Sequence, residues 1–170
     1  VVDFCSVCFL FKFDDFVVPF RTNGEAKTNS RFFKDVYITP RALLNMMNHS
    51  LTTKKEIMGY LAGHFKGTSY IITDAIALPI EGTETRVTAN DSSVWQAIEH
   101  FYDMHRLGRP EEDIGWYHSH PGLWCFFSAI DIENHRQNHD GRGGCYVGLV
   151  IDPINTTSSG KLHLGAYSTI

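Results

Sequence analysis

A mixed α/β (α+β) fold is predicted by three features of the sequence. Apolar segments of strand length recur at residues 36–38, 57–65, 70–80 and 145–151. Two other stretches, one after Thr39 and one after Ser92 or Ser93, repeat their apolar residues at helical spacing. The two kinds of segment do not alternate strictly, which sets the chain apart from a regular βαβ protein.

Taken in order, residues 1–35 read as irregular, with turns at Thr22-Asn23-Gly24 and Thr28-Asn29-Ser30. Residues 36–38 form a short strand. Thr39 caps the first helix and Pro40 occupies its first turn, with Leu43, Leu44, Met46 and Met47 as its apolar face. Residues 57–65 and 70–80 are consecutive strands joined at Lys66-Gly67-Thr68, a hairpin signal. Residues 81–91 are polar and read as a loop. In the second helix Val94, Ile98, Phe101 and His105 share one face, and Gly108-Arg109-Pro110 ends it. Residues 113–120 are a strand terminated by Pro121. A loop at 121–127, a short helix near 129–138 and a glycine-rich connection at 138–144 follow. Residues 145–151 are a strongly apolar strand, Asp152-Pro153-Ile154-Asn155 a turn, and 161–169 the last strand.

Composition removes several functional classes. With 170 residues, 43% hydrophobic and 13% aromatic, the chain has the material for a core, unlike a disordered segment. Its formal charge of −4 argues against a nucleic-acid binder, which carries a basic excess. No run of about 18 apolar residues occurs, so no membrane helix is expected. Asp3, Lys12, Asp14 and Asp15 interrupt the apolar N-terminal stretch, and signal-peptide features are missing. Cys5, Cys8, Cys125 and Cys145 make no disulfide framework, which fits a reducing intracellular compartment.

The chemistry concentrates in Gly115-Trp116-Tyr117-His118-Ser119-His120-Pro121-Gly122. Alternate residues of a strand share a face, so His118 and His120 project together at the strand's end. Asp131 follows in Ser128-Ala129-Ile130-Asp131. Two imidazoles and a carboxylate make a three-ligand zinc site with its fourth position open, as catalytic zinc requires. Glu56 is the candidate general base and Ser128 the candidate oxyanion donor. Other readings stand beside these. Ser128-X-X-Asp131 is also a helix capping box, with aspartate in the usual glutamate place. Cys125 is an alternative third ligand, although a buried thiol is the preferred reading. Asp131, His135 and His139 recur at helical spacing as a rival metal face, with a solvated helix face the preferred reading.

Glu56, His118-Ser119-His120-Pro121 and Ser128-X-X-Asp131 together resemble the motif of the JAMM (MPN-plus) metalloprotease family. The resemblance runs over residues 32–169. The flanking strings Ala77-Leu78-Pro79-Ile80-Glu81-Gly82-Thr83-Glu84-Thr85-Arg86-Val87 and Ser159-Gly160-Lys161-Leu162-His163-Leu164-Gly165-Ala166 resemble the family's COP9-signalosome branch more than its proteasome-lid branch. The resemblance implies the MPN fold, a curved mixed sheet flanked by helices with a cytidine-deaminase-like architecture. Deaminase chemistry itself is not supported, because His-X-Glu and Pro-Cys-X-X-Cys are missing. It further implies a zinc-dependent isopeptidase that removes a ubiquitin-like modifier from cullins, in cytoplasm and nucleus. His118, His120 and Asp131 would be the zinc ligands, Glu56 the base and Ser128 the oxyanion donor.

The implied partners are other signalosome subunits, including a non-catalytic MPN subunit, and the neddylated cullin. Neither nucleic acid nor membrane is among them. Loop 81–91 corresponds in the family to an insertion over the metal that rearranges on assembly. There Glu84 can fill the open metal position and Arg86 can pair with an acidic group on the substrate. The alternatives are a deubiquitinase of the proteasome-lid type and a non-catalytic MPN scaffold. The chain departs from the family pattern at Trp124 and Ala129, where glycine is usual, and across 138–144. It divides into a loosely matching extension, 1–31, and an MPN domain, 32–170, that reads as truncated at its C-terminal end.

Overall fold

The computed structural model describes residues 17–22, 35–81, 92–141 and 145–168. The elements run β1 (Val17–Thr22), β2 (Asp35–Ile38), α1 (Pro40–Ser50), β3 (Ile57–Lys66), β4 (Ser69–Glu81), α2 (Ser92–Arg106), β5 (Glu112–Ser119), α3 (Ala129–Gly141), β6 (Val147–Ile151), α4 (Pro153–Ser159) and β7 (Leu164–Ser168). The strands join in the order β1-β2-β4-β3-β5-β6-β7, and β1 also pairs with β7, so the mixed sheet closes on itself. The predicted mixed α/β class and curved mixed sheet are what the chain forms.

Several expected elements differ. Part of the segment read as irregular is strand β1, which pairs antiparallel with β2 and parallel with β7. The expected turn at Thr28-Asn29-Ser30, like Cys5 and Cys8, lies outside the described residues. The turn read at 152–155 is instead the start of α4. Asp152 caps it by accepting from Asn155 N at 3.0 Å, Pro153 opens it, and Gly160 closes it at φ 67°, a left-handed angle that suits glycine. Helix α3 continues to Gly141, into the expected glycine-rich connection, and β7 starts only at Leu164.

Helix α1 begins as expected, with Thr39 Oγ1 accepting from Ala42 N at 3.3 Å and Pro40 in the first turn. Its inward face is shifted from the expected one. Ala42 and Met46 are fully buried, Leu43 and Met47 pack partly, and Leu44 is 60% exposed. The core lies between α1 and the sheet and includes Leu61, Ile72, Ile114, Leu149 and Ile151. On α2, Val94, Ile98, Phe101 and His105 do share a face, but they line a cavity of about 370 Å³ against Tyr60 and Glu112. Among the described side chains of that helix, the buried ones are Ala97 and Met104. No described helix is long and apolar enough to cross a membrane.

Candidate metal centre

Strand β5 runs between β3, antiparallel, and β6, parallel. A strand with neighbours on both sides cannot rotate, so its alternation is rigid. His118 sits opposite Met58 on one side and Val150 on the other. His120 lies one residue past the strand, yet its backbone N–H still bonds Ile151 O at 2.9 Å. Both imidazoles are therefore locked on one face of the sheet, each only 4% exposed.

Asp131 reaches them from the first turn of α3. Ser128 Oγ accepts from Asp131 N at 3.2 Å, and Asp131 Oδ2 accepts from Ser128 N at 2.7 Å. This is the reciprocal capping box expected from Ser128-X-X-Asp131, and it leaves the same carboxylate facing the two imidazoles. Its position also places a negative charge at the positive end of the helix.

Three ligand atoms converge. His118 Nε2 and His120 Nε2 are 3.1 Å apart, and Asp131 Oδ2 lies 3.3 Å from the first and 3.8 Å from the second. Burial is the largest influence on His120 and lowers its pKa, with His118 beside it lowering it further. The neutral ring keeps a lone pair for coordination. Burial pushes the Asp131 carboxyl up, but hydrogen bonds from His118 and Ser128 outweigh it and hold the pKa at about 2. Two imidazole nitrogens and an ionised carboxylate gathered at one point are a donor set that a divalent cation satisfies, and the composition fits zinc with a position left for solvent. No other such group occurs among the described residues.

Glu56 stands immediately before β3. Two steps along the antiparallel register from the Met58–His118 pair bring it beside His120, with 3.9 Å between Glu56 Oε1 and His120 Nε2. Ser119, the residue between the two histidines, accepts from Ile57 N at 3.1 Å and so ties the start of β3 to the end of β5. The Ser128 hydroxyl accepts the cap bond, and among the described residues its own proton is not donated. It remains available to a ligand at the site.

The chain matches the family described as JAB1/Mov34/MPN/PAD-1 ubiquitin protease over residues 31–141. The chain belongs to this family. Its relatives include COP9 signalosome complex subunit 5 of Emericella nidulans, 36% identical over 94% of this chain and 48% of that protein. Subunit 5b of Arabidopsis thaliana is 39% identical over 94% of this chain and 45% of its own length. Subunit 5 of Dictyostelium discoideum is 42% identical over 81% and 42% respectively. The chain thus spans less than half the length of these relatives. The fold draws the His118, His120 and Asp131 group from two backbone stretches, the end of β5 and the first turn of α3.

Cys125 does not join the group. It is a buried thiol clustered with Val150 and Tyr167. The rival face on α3 is not assembled either, because His135 is fully buried and turned toward Trp116 rather than solvated. Glu84 and Arg86 lie outside the described residues. Sequence reasoning missed Asp152, which is fully buried. It accepts from Gly122 N and Trp124 N at 2.9 Å each and from Asn155, pinning the loop after His120. Trp124 O in turn lies 3.3 Å from His120 Nδ1. Trp124 adopts φ 71°, the left-handed region that disfavours a bulky side chain, and its indole is 59% exposed. The Asp-Pro pair at the start of α4 was the available signal for Asp152 as a cap. Nothing local signalled its bonds to residues thirty positions away.

Proposed function

We propose that this MPN protein is a zinc-dependent isopeptidase that removes a ubiquitin-like modifier from cullins as part of a COP9-signalosome-type assembly in cytoplasm and nucleus. The convergence of His118, His120 and Asp131, with Glu56 at 3.9 Å from His120, is the observation that supports it most directly. His118, His120 and Asp131 would hold the ion. When bound, zinc supplies a nucleophile at neutral pH and polarises the scissile carbonyl. Glu56 takes the proton of the attacking water and returns it to the departing lysine amine. The Ser128 hydroxyl donates to the carbonyl oxygen as charge develops on it. Glu84 and Arg86 belong to the loop that governs access, Glu84 competing for the open position and Arg86 pairing with an acidic group on the substrate. The signalosome relatives and the Glu81–Arg86 string support the signalosome-type reading over the proteasome-lid type.

Metal analysis and a cleavage assay test the reading together. One zinc per chain is expected, lost in His118→Ala. A cullin conjugate should be cleaved faster than a ubiquitin dimer, with activity abolished by chelator and by Glu56→Gln. A protein that holds no metal favours the scaffold alternative, and preference for the ubiquitin dimer favours the proteasome-lid type.

A further inference from the structure

A metal-ligating imidazole ordinarily donates its second ring N–H to a carboxylate, carbonyl or water, which fixes the plane of the ring. His120 follows this rule through Trp124 O. His118 does not: its Nδ1 is buried and has no partner among the described residues. Its ring lies instead flat on Trp116, with centroids 4.7 Å apart and planes 10° from parallel, while Phe127 sits 5.8 Å away. The indole is itself tethered, Trp116 Nε1–H donating to His135 Nδ1 at 3.0 Å. We infer that Trp116 and His135 are positioning residues for His118, the buried His135 ring fixing the indole face on which the ligand imidazole rests; this rests on the zinc site proposed above.

The choice of histidine at 135 has a physical cost that the role explains. With Nδ1 accepting, the proton sits on Nε2, and that atom is buried without a partner among the described residues. A leucine would avoid the unpaired N–H but would offer the indole no acceptor. Burial, reinforced by His139, holds the His135 pKa at about 3, so the ring stays neutral and its Nδ1 lone pair stays available. Room for the stack comes from β6. A Cβ at Gly148 would lie 2.3 Å from Phe127 Cζ and 3.1 Å from Trp116 Nε1. A flat contact transmits orientation: if the indole turns, the imidazole loses the surface that sets its direction toward Asp131.

The test is the zinc dissociation constant of the full chain, measured by competition with a chelator of known affinity. His135→Leu should weaken zinc binding by about 10–100-fold, the usual effect of losing a partner that orients a ligand. His135→Gln restores an acceptor and should recover most of the loss. Trp116→Phe keeps a flat ring but removes the donor, and should weaken binding with His135→Leu. In the cobalt-substituted protein the visible band should move in His135→Leu and return in His135→Gln. If His135→Leu does not fold, Trp116→Phe carries the test. Wild-type affinity in the foldable acceptor- or donor-deleting variants overturns the positioning role, as does a glutamine variant as weak as the leucine one. Zinc bound by wild type but indifferent to these changes sinks only this role, whereas no zinc on wild type sinks the metal site as well.

Discussion

His118 on β5 and His120 just past its end are two residues apart, yet the regions that support them work differently. Behind His118 the support is a buried aromatic stack closed by one hydrogen bond between Trp116 and His135. Around His120 it is a loop held by the Asp152 carboxylate at Gly122 and Trp124 and by the Tyr167 hydroxyl at Cys125 O. The interior region depends on shape, and burial keeps its His135 ring neutral. The loop region depends on an ionised acceptor. A strand end flanked by a core on one side and a loop on the other can thus hold two neighbouring imidazoles by different means.

Breaking the carboxylate should have the largest effect. Asp152→Ala leaves the N–H groups of Gly122, Trp124 and Asn155 without their acceptor and removes the cap of α4. A loss of about 3 kcal/mol in urea unfolding is expected. Burial pushes the Asp152 carboxyl up, but the hydrogen bonds from Asn155, Gly122 and Trp124 outweigh it, so its folded pKa is depressed. The stability it contributes is therefore fully present above the ordinary aspartate value of about 3.9 and is lost as pH falls below it through the folded value. Wild type should lose this part of its stability below about pH 4, and the alanine variant should not. Equal acid sensitivity in both would mean that other carboxylates anchor the loop.

The interior side is sharpened by Gly148→Ala. The added methyl meets Phe127 Cζ at 2.3 Å, inside the ring cluster around Trp116. Overpacking of this kind costs about 1–3 kcal/mol. No change in its pH dependence is expected, which separates it from the loop variant. A cost below a few tenths of a kcal/mol, read by thermal unfolding, would show that the stack yields easily.

The smallest effect is expected at Trp124→Gly. The left-handed conformation costs a side-chain-bearing residue about 1–2 kcal/mol. Glycine's greater freedom in the unfolded chain gives back about 0.5–1 kcal/mol of that. Among the described residues the indole's ring contact is an edge-on one with His163, 5.3 Å between centroids. A net stabilisation of under about 1 kcal/mol should appear as a small rise in Tm. A fall in Tm would mean that the indole contributes packing beyond that edge contact.

Much of the site was legible because its parts are short-range. Residues 118 and 120 share a face by strand alternation, and Ser128 and Asp131 cap a helix by their spacing, whatever the rest of the chain does. Strand β1 was not legible, since its partners β2 and β7 are far apart in sequence and only they make that segment a strand. Helix α4 was missed because Pro-Ile-Asn-Thr-Thr-Ser-Ser is polar and lacks periodicity, and its caps rather than an apolar face define it. The inward turn of His135 was missed for a related reason: on a polar helix, one buried residue leaves no pattern.

The amino-acid order alone determined the kinds of ligand, their spacing and the cap that presents Asp131, since each is settled within one element. Which side chains hold those ligands still was decided by tertiary structure. Trp116 on β5 meets His135 on α3 only once the chain folds back on itself, and Asp152 reaches Gly122 only because β6 lies beside β5. Such contacts join residues separated by roughly twenty or thirty positions, and no local preference of the backbone encodes them.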